Sequence, residues 1–169
     1  MSDNNLSPQD MIRANAEMVL EVARKEYDPH IGFDAAGVRW LDGYIQALVD
    51  QGNVEATEEL CDNLGSYLGT CIIETYGGTW QDTEHGWAVV MADDLAVFPF
   101  NKTLKHLTEG ADDSVLSLFN TIPALISHAS DGDDAAAAGV IEAVEEPAAP
   151  SAEGSKSLAG RIGSFFRRR

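Results

Sequence analysis

The sequence predicts an α+β fold with N-terminal helices, a three-stranded antiparallel meander and short C-terminal helices, and three observations predict it. Up to about residue 76 apolar side chains recur at helical spacing, and between about 79 and 100 the runs shorten and are punctuated by turn residues. Helical spacing then returns to about residue 127. Strands bracketed by helices, with no strand–helix alternation, point to α+β and away from a doubly wound sheet.

The first helix opens on Ser7-Pro8-Gln9-Asp10. Ser7 suits the cap, Pro8 the first helical position, and Asp10 the positive end of the helix dipole. Met11, Ile12, Met18, Val19 and Val22 follow at helical spacing, and Asp28-Pro29 ends the run. Asp34 is the expected cap of a second helix that buries Val38, Leu41, Ile45, Leu48 and Val49, with Trp40 and Tyr44 widening that face and Gly52 stopping it. A third helix carries Val54, Thr57, Leu60, Cys61, Leu64, Tyr67, Leu68, Cys71 and Ile72 along one face. Cys61, Gly65 and Gly69 make a column of small residues, as a close crossing requires. Membrane dimerisation through Gly65-x-x-x-Gly69 fails because Glu58, Glu59, Asp62 and Glu74 share the helix.

After Gly77-Gly78 the sequence predicts strands at 79–83, 87–91 and 95–100, turning at His85-Gly86 and Asp93-Asp94. Pro99 cannot donate to a ladder, so the third strand should end there or lie at an edge. Asn101 is the expected cap of a short helix over 102–109 that closes at Gly110. Asp112 or Asp113 should start the last helix, through Val115, Leu116, Leu118, Phe119 and Ile122, and Pro123 should bend or break it before Leu125 and Ile126.

The domain boundaries follow from composition: a globular part over 1–128, an acidic Ala/Pro-rich disordered linker over 129–155, and a basic amphipathic tail over 156–169. The linker holds almost nothing large to bury, so ordering it would cost entropy without return. The net charge is −17, from 28 acidic and 11 basic residues. Residues 1–155 hold all 28 acidic groups and six basic ones, whereas Lys156, Arg161, Arg167, Arg168 and Arg169 give the tail +5. Such a body excludes nucleic acid as its partner, because phosphate binding needs Lys and Arg. It suits a basic protein partner or simple solubility.

The start, Met1-Ser2-Asp3-Asn4-Asn5, has no basic or apolar stretch, so no secretory signal is expected. No window approaches the roughly 18 apolar residues of a membrane span. Cys61 and Cys71 lie ten apart in one predicted helix, about 15 Å at its usual rise. A disulfide needs Cα atoms within about 7 Å. Free, buried thiols are therefore expected, in keeping with a reducing cytoplasm.

In the tail, Leu158, Ile162, Phe165 and Phe166 form one helical stripe beside Arg161, Arg167, Arg168 and Arg169. These eight residues are the candidate contacts with an anionic membrane surface. Five cations supply up to about 5 kcal/mol near an anionic leaflet. Four apolar side chains add roughly 1.5–3 kcal/mol apiece at most. Ordering costs about 1.5 kcal/mol per residue, and Gly160 and Gly163 raise it. The expected association is weak and reversible. A flexible linker of this length spans about 30 Å, against a screening length of about 8 Å, so repulsion between body and membrane is mostly screened. The same tail could dock on its own body, enter a groove in another protein, or do nothing measurable.

The body offers little chemistry. His30, His85, His106 and His128 are scattered, without metal-ligand spacing. Buried cysteines have raised thiol pKa values and make poor nucleophiles. Ser66 and Ser114 lack a Gly-x-Ser-x-Gly elbow, and no Gly-Lys-Ser/Thr follows Gly77-Gly78. The paired carboxylates Glu58-Glu59, Asp93-Asp94 and Asp112-Asp113 suit solvated faces, turns and caps. Trp80 and Trp87 suit core or cross-strand partners better than a ligand platform. One cluster stands apart: Lys102, Lys105 and His106 share one short helix and could receive an acidic group. Pairing of the lysines with Asp112 or Asp113 is the competing and stronger structural explanation. No cofactor, metal or catalytic residue is expected.

The strings Leu64-Gly65-Ser66-Tyr67-Leu68-Gly69, Tyr76-Gly77-Gly78-Thr79-Trp80, Val97-Phe98-Pro99-Phe100-Asn101-Lys102 and Asp113-Ser114-Val115-Leu116 resemble a family of small bacterial domains of unknown function. The resemblance covers about residues 40–127. It implies an α+β fold and brings no activity or site residue. The functional expectation is a non-enzymatic, acidic, cytoplasmic binding or adaptor protein, peripheral on the inner membrane face through its tail. The alternative is an immunity- or inhibitor-type protein whose acidic face binds a basic partner.

Overall fold

A computed structural model describes residues 6–52 and 58–130. Two helices come first, α1 (Pro8–Glu26) and α2 (Ala35–Asp50), then α3 (Glu58–Tyr76). Next come β1 (Thr79–Thr83), β2 (Gly86–Val90) and β3 (Ala96–Val97), followed by α4 (Pro99–Glu109) and α5 (Val115–Ser130). The strands form one antiparallel meander in the order β1-β2-β3, with Trp80 opposite Val89 and Val89 opposite Val97. The architecture is α+β, in the expected order of helices, meander and helices. The linker over 129–155 and the tail over 156–169 lie, but for residues 129 and 130 at the end of α5, outside the described residues.

Helix α1 starts as its sequence dictates. Ser7 Oγ accepts from the Asp10 amide at 3.2 Å, and Asp10 Oδ2 accepts from the Ser7 amide at 3.2 Å. This reciprocal box meets the Ser7 and Asp10 amides, and Pro8 at the first position has no amide to satisfy. Asp34 caps α2 by accepting from the Gly37 amide at 2.9 Å.

The core is built around α3, which packs against α1, α2, α4, α5 and β2. A single apolar stripe would not serve such a position, and residues 63–69 are all buried, Asn63 and Ser66 included. Those polar side chains tolerate burial because each bonds back along the helix. Asn63 Nδ2 donates to the Glu59 carbonyl at 2.8 Å and Ser66 Oγ to the Asp62 carbonyl at 2.5 Å. The column of small residues lets neighbours approach. A Cβ on Gly65 would lie 2.5 Å from Phe100 Cδ1, and one on Gly69 would collide with the Trp80 ring. Trp80 and Phe100 stack with centroids 5.3 Å apart, so the hairpin and the start of α4 share the surface those glycines leave open.

Several expectations need correction. The second strand begins one residue early, at Gly86, and the third is two residues long, preceded by a 3-10 turn at Ala92–Asp94. The third strand does lie at an edge of the sheet, one of the two expected alternatives, but Pro99 stands beyond its end. It opens α4, two residues before the expected cap at Asn101, because a missing N–H costs nothing at the first helical position. The last helix starts behind Ser114, since Asp112 and Asp113 belong to a 3-10 turn, Gly110–Asp113. Pro123 sits inside α5 without ending it. Leu125 and Ile126 beyond it pack on the core, and that burial outweighs the lost backbone hydrogen bond.

Candidate functional site: a polar clamp at the start of α5

The candidate residues Lys102, Lys105 and His106 fall on α4, and the structure divides them. Lys102 Nζ lies 2.8 Å from Asp113 Oδ1, an ion pair with side chains 21% and 33% exposed. The lysine's hydrogen bond holds the Asp113 carboxyl below its usual range. Asp113, one of the two neighbours the sequence offered, thus takes the Lys102 charge. Lys105 is half-buried on the same helix and acts on Asp113 through its charge. His106 is fully buried.

His106 belongs to a network that sequence spacing does not reveal. Its Nδ1 accepts from the Val115 amide at 3.3 Å, and its Nε2 faces Gln46 Oε1 at 3.4 Å. An acceptor at Nδ1 places the ring proton on Nε2, pointing to Gln46. Asp42, from α2, supplies the next partner. Its Oδ1 accepts from Ser114 Oγ at 2.5 Å and from the Leu116 amide at 3.1 Å, and lies 3.7 Å from His106 Nδ1. Ser114 Oγ in turn accepts from the Ser117 amide at 3.1 Å.

The first amides of a helix have no partner within it. At α5 every one is met: Ser114 by the Ala111 carbonyl, Val115 by His106, Leu116 by Asp42, and Ser117 by Ser114. The Asp42 carboxylate also sits where the helix dipole favours negative charge. Burial pushes the His106 pKa down, against a smaller upward pull from Asp42, and the Lys102 charge adds to the depression. The ring is therefore neutral at pH 7.

Serine, histidine and aspartate meet here without the geometry of a nucleophile. The Ser114 hydroxyl donates to Asp42 and not to His106, and both imidazole nitrogens are engaged elsewhere. The imidazole is not placed to take the Ser114 proton, as a Ser-His-Asp triad requires. Burial likewise pushes the Cys61 thiol up to about 11 and the Cys71 thiol up to about 12, and both cysteines are free. Among the described residues no group of three or more His, Cys, Asp or Glu is arranged to hold a metal ion. No described helix is long and apolar enough to cross a membrane.

The eight tail candidates, Leu158, Arg161, Ile162, Phe165, Phe166, Arg167, Arg168 and Arg169, lie outside the described residues. Sequence reasoning found Lys102 and His106 but missed Asp42 and Gln46 as partners of His106, and Ser114 as a partner of Asp42. Only the Ser114-x-x-Ser117 spacing hinted at a cap there. No family model, curated protein or solved structure compared with this chain matches it, so the motif resemblance over residues 40–127 remains an expectation from the sequence.

Proposed function

We propose that the chain is a non-enzymatic binding protein of the cytoplasm whose acidic domain is joined through an Ala/Pro-rich linker to a basic tail that rests weakly on an anionic membrane surface. The observation that carries this reading is the segregation of charge: 28 acidic groups before residue 156 and five cations with no acid after it. The fold is compatible with it. Arg13 is paired with Glu17 at 3.0 Å, Arg24 Nε donates to the Ile31 carbonyl at 2.7 Å, and Lys102 is held by Asp113. At least three of the body's six cations are thus engaged internally, whereas the tail's five stand in a segment with no acid of its own. The last turn of α5 is solvent-exposed, so a linker can leave it without crossing the core.

Sedimentation with phosphatidylglycerol vesicles tests the reading. The full chain is expected to co-sediment in dilute buffer, and deletion of residues 156–169 or about 0.5 M salt should release it, since exposed charge is screened within about 3–5 Å at such ionic strength. Equal sedimentation with and without the tail would overturn it.

A second reading, an inhibitor or immunity-type protein, draws on the start of α3. Glu58, Glu59 and Asp62 crowd one another there, and burial together with its two neighbours raises the Asp62 carboxyl pKa. A basic protein surface would relieve that repulsion. A stoichiometric complex with a basic protein, indifferent to tail deletion and lost in Glu58→Gln/Asp62→Asn, would favour this reading over the membrane.

A further inference from the structure

The network around His106 has a built-in sensitivity that its packing role does not require. We infer that His106 makes the start of α5 acid-labile: a proton taken from solvent onto Nδ1 removes the acceptor of the Val115 amide, and the first turn of α5 opens while α3 stays folded.

The geometry leaves a protonated ring no comfortable place. With Nδ1 accepting from Val115, a proton there would set donor against donor across 3.3 Å. The nearest alternative acceptor is Asp42 Oδ1, 3.7 Å away. That oxygen already takes Ser114 Oγ and the Leu116 amide, so an imidazolium competes with two bonds that close the same helix. Nε2 offers no relief, because it already faces the Gln46 carbonyl oxygen. A single proton therefore weakens several of the contacts that hold the first turn.

The charged surroundings set the direction. Asp42 faces the ring from α2, Asp113 from the 3-10 turn, and Lys102 from α4 itself, with Lys105 acting on Asp113. Helix α5 brings the Val115 amide, and its own titratable group, His128, lies in its last turn. Helix α3 meets α4 at Gly65 and Phe100, so its carboxylates are not among these groups. Burial is the strongest influence and lowers the folded pKa below the ordinary imidazole value of about 6.5. A group depressed on folding stabilises the closed form fully above its unfolded pKa, and that stability is lost as pH falls toward the folded value. The opening constant should therefore rise by up to about tenfold per pH unit below about 6.5, the limit for one linked proton.

Amide hydrogen exchange on the full chain between pH 7.5 and 5.0, corrected for intrinsic rates, tests this. Protection of Val115 and Leu116 is expected to fall by up to about tenfold per unit below pH 6.5, while Asp10 in the first turn of α1 stays flat. In His106→Asn, which keeps an acceptor near Nδ1 and cannot titrate, the fall should shrink to less than about twofold. Flat protection in the native chain overturns the inference, as does an equal fall in the variant. Protection of Val115 equal to that of Leu68 and Ile72 throughout would mean opening is global, and overturns it too. Should the variant fail to fold, nitrogen chemical shifts of the native imidazole decide. Ring protonation should move the Val115 and Leu116 amide resonances in step, and a ring that titrates without moving them contradicts the inference.

Discussion

The starts of α1 and α5 meet the same physical demand with partners drawn from different distances along the chain. At α1 the Ser7 and Asp10 amides are met by each other's side chains, three residues apart, and Pro8 has no amide to satisfy. At α5 the Val115 amide is met by His106, 9 residues away, and the Leu116 amide by Asp42, 74 residues away. The first arrangement forms whenever the local chain turns. The second exists only once α2, α4 and α5 have docked, so it reports on the tertiary fold and strengthens it. A local cap can fray by itself, whereas a tertiary clamp links three elements in one cooperative unit.

That contrast should be visible in stability. Asp42→Ala removes the acceptor for both Ser114 Oγ and the Leu116 amide and strands half-buried donors. It is expected to cost about 2–4 kcal/mol in urea unfolding at pH 7, the range for orphaning groups bonded to a carboxylate. Ser7→Ala should cost about 1 kcal/mol, the usual value for a lost helix cap, because water can replace the lost bond at an exposed position. A loss for Asp42→Ala no larger than that for Ser7→Ala would break the comparison.

The same contrast explains what the sequence reveals. Ser7, Pro8, Asp10 and Asp34 were legible because caps act within a few residues, and residues 79–83 because strand spacing and the glycines that flank the hairpin are local signals. The small column at Gly65 and Gly69 was legible as a close approach, though not what approaches. Phe100, Pro99 and Trp80 reach those glycines only through the meander. Pro99 misled for a physical reason: its ring suits a strand end and a helix start equally, and burial of Thr103, His106 and Leu107 on α4 decides for the helix. Asn63 and Ser66 lie off the apolar stripe that spacing shows, and their burial was not legible because periodicity cannot show that α3 is surrounded. In the candidate site, Lys102 and Asp113 were close enough in sequence to be paired by inspection. Asp42 was not, since no local pattern connects α2 to the start of α5, and His106 looked like one of four scattered histidines.

Asp42, His106 and Ser114 form a structural clamp joining α2 and α4 to the start of α5. The most direct measurement is a double-mutant cycle of Asp42→Ala and Ser114→Ala, read by urea unfolding at neutral pH. Partners in direct contact are expected to show a coupling of about 1–2 kcal/mol. Single-variant losses that add to within about 0.3–0.5 kcal/mol would show two independent sites and contradict the clamp.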